Sequence, residues 1–276
     1  MHARKSGLGL MPLFALALAA PAAIAPLPAV AQSTDGAAIR AAVDDAQRPA
    51  AQRLRDRYRH PAETLGFFGV KPDQSVVEFL PSGGWYTAIL APMLSARGHY
   101  TGLVIKDAKA EASLAKLIAG GGDRYHGATG ATLDPATATS TVPDGSADVV
   151  LTFRNVHNLI MDGGTTPANT FKAFFRMLKP GGVLGVVDHH LPETGDSAAE
   201  KATGYIKRST VVALAQAAGF TLADESTVNA NPKDTHDWPK GVWTLPPSLD
   251  LGEKDREKYL AIGESDRMTL KFVKPK

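Results

Sequence analysis

The sequence predicts an α/β fold, a doubly wound and mostly parallel sheet of seven strands with the last strand antiparallel. Three observations predict it. Short apolar runs alternate with segments of helical spacing, and glycine or proline marks the junctions. Several of the runs are continuously apolar, as expected of strands covered on both faces. The strand–helix–strand order repeats along most of the chain, and parallel neighbours need such crossover helices.

The first 31 residues read as an export signal. His2, Arg4 and Lys5 precede a charge-free apolar run from Leu8 to Ala20, and Ala29-Val30-Ala31 before Gln32 fits a small-x-small cleavage site. Ala23-Ile24-Ala25 also fits, but Pro26 after the cut blocks it. Residues 1–31 are therefore expected to be removed after Ala31, leaving a periplasmic or secreted protein with no stable membrane insertion. An uncleaved anchor is the competing reading. Residues 32–70 are expected to form a helical extension, broken near Pro49. Within it Arg53, Arg55, Arg57 and Arg59 alternate in a way that spreads them around a helix among Asp44, Asp45 and Asp56. That spacing predicts a solvated face rather than a phosphate-binding patch.

Residues 71–276 are expected to form the main domain. Val76 to Leu80 reads as the first strand, Pro81-Ser82-Gly83-Gly84 as a glycine loop, and Trp85 to Leu94 as a helix. Tyr100 to Ile105 is the second strand, followed by Asp107 as N-cap of a helix over Ala108 to Ala119. A weak third strand lies within Arg124 to Leu133, and the Ala/Thr-rich stretch Ala131 to Thr141 reads as loop. Asp148 to Phe153 is a buried fourth strand. Thr166 then caps a helix with Pro167 at its first position and Phe171, Phe174, Phe175 and Leu178 on one face. Lys179-Pro180-Gly181-Gly182 turns into the fifth strand, Val183 to Val187. Ser209 caps another helix that ends at Gly219, Phe220 to Ala223 is the sixth strand, and Met268 to Val273 is the last.

Composition narrows the function. There is no cysteine among 276 residues, which removes disulfides, thiolate metal sites and cysteine nucleophiles. Without Arg4 and Lys5, 28 basic residues balance 28 acidic ones. A neutral body does not suit a protein that grips nucleic acid or anionic membrane. A small-molecule substrate is the expected partner. In an open sheet of this kind the ligand sits beyond the carboxyl ends of the strands, where strand order reverses.

The first strand tip, Glu78-Phe79-Leu80-Pro81-Ser82-Gly83-Gly84-Trp85-Tyr86-Thr87, resembles that of class I S-adenosylmethionine (SAM)-dependent methyltransferases, in which an acid ends the strand and a glycine-rich loop follows. Pro143 to Val150, Phe174 to Asp188 and Ala217-Ala218-Gly219-Phe220 resemble the later junctions of that family. Together these motifs span about residues 60 to 276. His60-Pro61-Ala62-Glu63-Thr64, Gly83 to Thr87 and Phe153 to Asn158 further resemble a group of exported predicted bacterial methyltransferases. The resemblance implies a Rossmann-like fold, SAM as cofactor, and cofactor contacts from Glu78, Ser82, Gly83, Gly84, Tyr86, Asp107 and Asn155. Two departures stand out. Leu80 and Ser82 occupy the first two of three expected glycine positions. Val104 stands where the ribose-binding acid is expected, with Asp107 three residues later; Asp134 is the nearest candidate for an adenine contact.

The fourth tip contributes Arg154 to Asn158 and the fifth Asp188-His189-His190. Adjacent strand axes lie ~4.8 Å apart, so both clusters face one crevice. His157 is the expected general base, with Asp188 or Asn158 to orient it and His189 beside it. A histidine bonded to loop backbone is the competing reading. His157, Asp188, His189 and His190 also have metal-ligand chemistry, but the DHH phosphoesterases that Asp188-His189-His190 resembles need an Asp-x-Asp, absent here; no metal is expected. Residues 229–267 are read as a lid that brings His236 and Trp238 over the crevice, or as a connection pinned by Trp238 and Trp243. The expected function is methyl transfer from SAM to a small-molecule O or N nucleophile. The alternative is a noncatalytic exported metabolite-binding protein on the same fold.

Overall fold

The computed structural model of the chain describes residues 1–2 and 34–276. The expected signal segment and its cleavage site after Ala31 lie outside the described residues. The chain divides at Ala31, and every helix and strand among the described residues belongs to the unit from Gln32 to Lys276.

Four helices precede the sheet: α1 (Thr34–Val43), α2 (Ala50–Arg53), α3 (Asp56–Arg59) and α4 (Pro61–Phe68). His60, at φ +39°, separates the last two, and Pro61 starts α4 where its missing N–H costs nothing. Ile39 of α1 and Leu65 and Phe68 of α4 are buried against the body.

The sheet strands and helices then alternate. β1 (Ser75–Phe79), α5 (Thr87–Leu94), β2 (His99–Ile105), α6 (Ala108–Gly120), β3 (Thr129–Asp134) and β4 (Thr139–Ser140) form the first half. β5 (Ala147–Phe153), α7 (Val156–Asp162), α8 (Thr166–Met177), β6 (Leu178–Leu191), β7 (Ile206–Lys207), α9 (Arg208–Ala217), β8 (Thr221–Ser226), α10 (Arg256–Ile262) and β9 (Arg267–Val273) form the second. Strand order is β4-β3-β2-β1-β5-β6-β9-β8, with β7 beside the end of β6. β9 runs antiparallel to both β6 and β8. This is the expected Rossmann-like sheet, with nine strands against seven. The two extra strands, β4 and β7, have two residues each, too few to leave a period in the sequence.

Alternation along the strands divides the core between the two faces. Val77, Val150 and Leu184 join Phe171, Phe174 and Val211 on one face. Val76, Val149 and Leu151 join Leu65, Ile89 and Leu90 on the other. Each fully buried side chain of this size contributes about 1.5–3 kcal/mol. Among the described residues no helix is long and apolar enough to cross a membrane.

Some boundaries differ from expectation. Lys179 to Gly182 belong to β6 instead of forming a turn: Leu178 already pairs with Ala147, and a register shift absorbs the irregularity. The caps of α8 and α9 are Thr165 and Lys207. α7 was not expected at all, because a seven-residue helix offers little periodicity to read. It places His157 in its first turn.

Candidate active site

The chain runs outward from β1 through β2 to β3, then returns to β5 and β6 on the other side of β1. At this reversal the tips of β1, β5 and β6 border a cavity of about 370 Å³.

The loop after β1 supplies one wall. Leu80 and Ser82 both have φ +50°, and Gly84 has φ +73°. Left-handed backbone costs a residue with a side chain on the order of 1–3 kcal/mol and persists only where its surroundings hold it. Here Leu80 N–H donates to Leu103 O at 2.8 Å, Gly84 N–H to Pro81 O at 2.8 Å, and Asn155 Nδ2 to Phe79 O at 2.9 Å. The loop thus keeps a left-handed backbone where two of three expected glycines are missing. Ser82 and Gly83 face the cavity. Gly84 instead meets α6: a Cβ there would lie 2.5 Å from Leu117 Cδ1.

Glu78, the last-but-one residue of β1, is buried on the cavity wall. Its Oε2 accepts from Thr87 Oγ1 at 3.0 Å and from the Tyr100 hydroxyl at 2.7 Å. Burial raises its pKa to about 7, and the two hydrogen bonds only partly oppose this. Tyr86 stacks on Phe153 with ring centroids 3.5 Å apart and planes 10° apart, and both rings line the cavity. Asp107 lies elsewhere, where its carboxylate caps α6 by accepting from Lys109 N and Ala110 N. Asp134 accepts from Ala136 N in the turn after β3.

His157 and Asp188 meet across the β5–β6 gap, Nδ1 to Oδ1 at 2.7 Å. Asp188 also accepts from Val156 N at 2.6 Å, His157 N at 3.2 Å and His189 N at 2.8 Å. Every contact uses Asp188 as an acceptor, so Nδ1 of His157 carries the proton and Nε2 keeps its lone pair. Asn158, the other proposed orienting residue, is exposed. His189 is buried, with its ring centroid 4.9 Å from that of His157 and Nδ1 hydrogen-bonded to Ser265 Oγ. Burial holds its pKa well below the usual histidine value, and the neighbouring His157 and arginines push the same way. Ligating atoms of His157, Asp188 and His189 lie within 4.8 Å of one another. The Asp188 oxygens are already engaged by N–H donors, however, which leaves two imidazoles and falls short of the three ligands of a catalytic zinc site.

The arginines of the N-terminal extension correct the solvated-face expectation. Arg53 and Arg57 are exposed, but Arg59 is buried and Arg55 partly so. Arg55 Nε pairs with Glu264 Oε1 at 2.7 Å, and Arg59 Nε with Oε2 at 3.2 Å. Arg267 Nη1 reaches the same Oε2 at 3.3 Å, and its Nη2 donates to Tyr58 O. Burial pushes the Glu264 carboxyl up, but Arg267, Arg59 and Arg55 outweigh this and leave it at about 2. The spacing of four between Arg55 and Arg59 was the one sequence signal for a shared face.

From residues 229–267, Val242, Trp243, the stretch Pro246-Pro247-Ser248, Glu264 and Ser265 reach the cavity. His236 and Trp238 do not. Trp238 Nε1 and the backbone N–H of His236 both donate to Asp234 Oδ1, at 2.7 and 3.0 Å, and so tie the segment down. The roles of Arg59, Arg154, Glu264 and Ser265 were not read from the sequence, because no local motif joins residues so far apart.

Residues 82–186 match a protein family described as a methyltransferase domain. No match to the chain was found among curated proteins. Solved structures with the same fold include a SAM-dependent methyltransferase from Aquifex aeolicus, 15% identical, covering 87% of this chain and 98% of that one, with a TM-score of 0.54. The [4+2]-cyclase SpnF is 18% identical over 82% of this chain and 81% of its own, with a TM-score of 0.55. Phosphoethanolamine N-methyltransferase 2 of Haemonchus contortus, in complex with S-adenosyl-L-methionine, is 17% identical over 79% of this chain and 53% of that one, with a TM-score of 0.52. The nine-stranded sheet and its flanking helices are thus a methyltransferase fold.

Proposed function

We propose that the protein is a SAM-dependent methyltransferase that methylates an oxygen or nitrogen of a small molecule, with His157 as general base. The observation that carries the reading is the His157–Asp188 pair, whose free Nε2 belongs to a residue lining the cavity at the strand-order reversal.

The residues present fit the cofactor at its amino-acid and sulfonium end. Ser82 and Gly83 bring loop backbone to the wall, and Glu78, Tyr86 and Phe153 offer a partly ionised carboxyl group and two aromatic rings to cationic groups. At the β2 tip the Val104 side chain has no acceptor and Asp107 serves α6, so the ribose hydroxyls would rely on other acceptors. When bound, SAM supplies an electrophilic methyl on a sulfonium that leaves as a neutral thioether.

The protein's own part is proton removal and alignment. An acceptor O–H or N–H placed at Nε2 loses its proton there as its lone pair bonds to the methyl carbon. The imidazolium that forms is balanced by Asp188. His189 stays neutral in its buried position and adds no second positive charge beside it. Alignment of acceptor, methyl and leaving sulfur supplies much of the rate.

Calorimetric titration of the protein with SAM and S-adenosylhomocysteine tests this reading; binding of both is expected, and binding of neither overturns it. The charge-free run, the Ala-x-Ala site and the resemblance to exported bacterial methyltransferases support export as well. Mass spectrometry of envelope protein is expected to show a mature chain starting at Gln32, whereas an intact Met1 in cytosolic protein would sink the idea.

A further inference from the structure

Four guanidinium groups crowd one side of the cavity around a single carboxylate. Arg55, Arg59 and Arg154 line it and Arg267 stands behind, with Glu264 shared among Arg55, Arg59 and Arg267. The side chains of Arg59, Glu264 and Arg267 are 3–4% exposed, so water screens this charge poorly. One carboxylate does not balance four guanidiniums. Burial raises the Glu78 pKa to about 7, so this group carries only part of a negative charge near neutral pH, and Asp188 is engaged with His157.

Hydrogen-bond capacity is left over as well. Nη2 of Arg55, Nη2 of Arg59 and Nε of Arg267 are buried without a partner. Leaving a buried polar group without a partner is costly, and more so when it is charged. Arg154 is the most telling of the four. Its side chain makes no hydrogen bond within the described residues, although its backbone is pinned by Arg154 N–H to Val187 O at 2.7 Å. Its φ is +61°, a left-handed conformation for a residue with a long side chain. Burial and the other arginines pull its pKa down to about 10 and that of Arg59 to about 9. Arg55, Arg59 and Arg267 tie the N-terminal helices to the start of β9 through Glu264. Arg154 has no such structural duty, and it sits three residues before His157.

We infer that this side of the cavity is an anion subsite for the methyl acceptor: a carboxylate or phosphate on the acceptor is held by Arg154, with Arg59 and Arg55, so that its O–H or N–H meets Nε2 of His157. The planar guanidinium fork suits both anions. The inference rests on the methyltransferase reading and names its substrate class. The carboxylate of SAM has the same chemistry, and the test separates the two sources.

Inorganic phosphate is the probe, titrated by calorimetry at constant ionic strength into the wild type, alone and saturated with S-adenosylhomocysteine. Phosphate is expected to bind in both cases. Arg154→Gln is expected to weaken phosphate at least tenfold with unchanged melting temperature and S-adenosylhomocysteine affinity. Arg154→Lys, which keeps the charge without the fork, should weaken it less and serves if the glutamine variant does not fold. Arg53→Gln, on the exposed side, should change nothing. Absence of phosphate binding by the wild type, or equal binding by Arg154→Gln, overturns the subsite. Phosphate displaced by S-adenosylhomocysteine but not by 5′-methylthioadenosine, which lacks the carboxylate, assigns the arginines to the cofactor and also overturns it. Failure of S-adenosylhomocysteine to bind defeats the methyltransferase reading, while the phosphate titration still reports on the subsite.

Discussion

Asp188 Oδ1 lies 2.7 Å from His157 Nδ1, although the two residues are 31 apart in the chain. The same carboxylate accepts the backbone N–H groups of Val156 and His157, the first two residues of α7. Asp188 thus caps the helix that carries the histidine and orients its ring. A cap placed on the neighbouring strand couples the tilt of α7 to the tip of β6, so the imidazole is fixed by the sheet itself. This arrangement separates the roles of the two residues experimentally.

His157→Gln removes the base and leaves the α7 cap in place. Turnover is expected to fall ~100-fold or more, with cofactor affinity nearly unchanged. Asp188→Ala removes both the orienting contact and the cap, and leaves buried N–H groups without acceptors. It should cost about 2–4 kcal/mol in urea denaturation besides activity. Equal loss of stability in the two variants would contradict this division.

Glu264 is the carboxylate shared by Arg55, Arg59 and Arg267. Glu264→Gln leaves Arg59 and Arg267 as uncompensated buried charge, and about 3–5 kcal/mol of destabilisation is expected. The linkage has a definite sign. With a folded pKa near 2 against an ordinary 4.5, Glu264 contributes stability that is fully present above pH 4.5 and lost as pH falls toward 2. Denaturation curves for wild type and variant should therefore converge in that acid window. Curves that stay parallel down to pH 2 would remove the charge argument.

Glu78 carries the opposite sign. Its folded pKa of about 7 lies above the ordinary 4.5, so the folded state binds more protons between these values. Its contribution to stability falls as pH rises from 4.5 to 7 and is level above that, by roughly 3 kcal/mol in total. Glu78→Gln keeps an acceptor for Thr87 and Tyr100 and has no proton to lose. The stability difference between variant and wild type should grow in the variant's favour across this window, as measured by chemical denaturation at a series of pH values. A difference independent of pH would show that burial does not perturb Glu78.

Gly84 tests the loop from its outer side. Its φ of +73° strains any residue with a Cβ, and a Cβ there would lie 2.5 Å from the Leu117 methyl, which would have to shift. Gly84→Ala is expected to destabilise by about 2–4 kcal/mol, from left-handed strain plus overpacking. An unchanged melting temperature would mean that α6 yields freely to the loop.

The seven main strands and their order along the chain were legible in the sequence, most plainly at β1 and β5, because a parallel strand covered on both faces is continuously apolar. The apolar run from Val149 to Leu151 and the spacing of Phe171 and Phe174 carry that information locally. His157 and Asp188 were legible as neighbours once two adjacent strand tips were recognised. Other features were decided by the tertiary structure. Leu80 and Ser82 hold a left-handed backbone despite their side chains, because contacts from Leu103 and Asn155 fix the loop. Arg55 and Arg59 turn inward because Glu264, more than 200 residues away, lies beneath them. Local sequence fixes what a segment can bury; which distant charge it meets depends on how the layers pack, and the cavity's charge arises at that level.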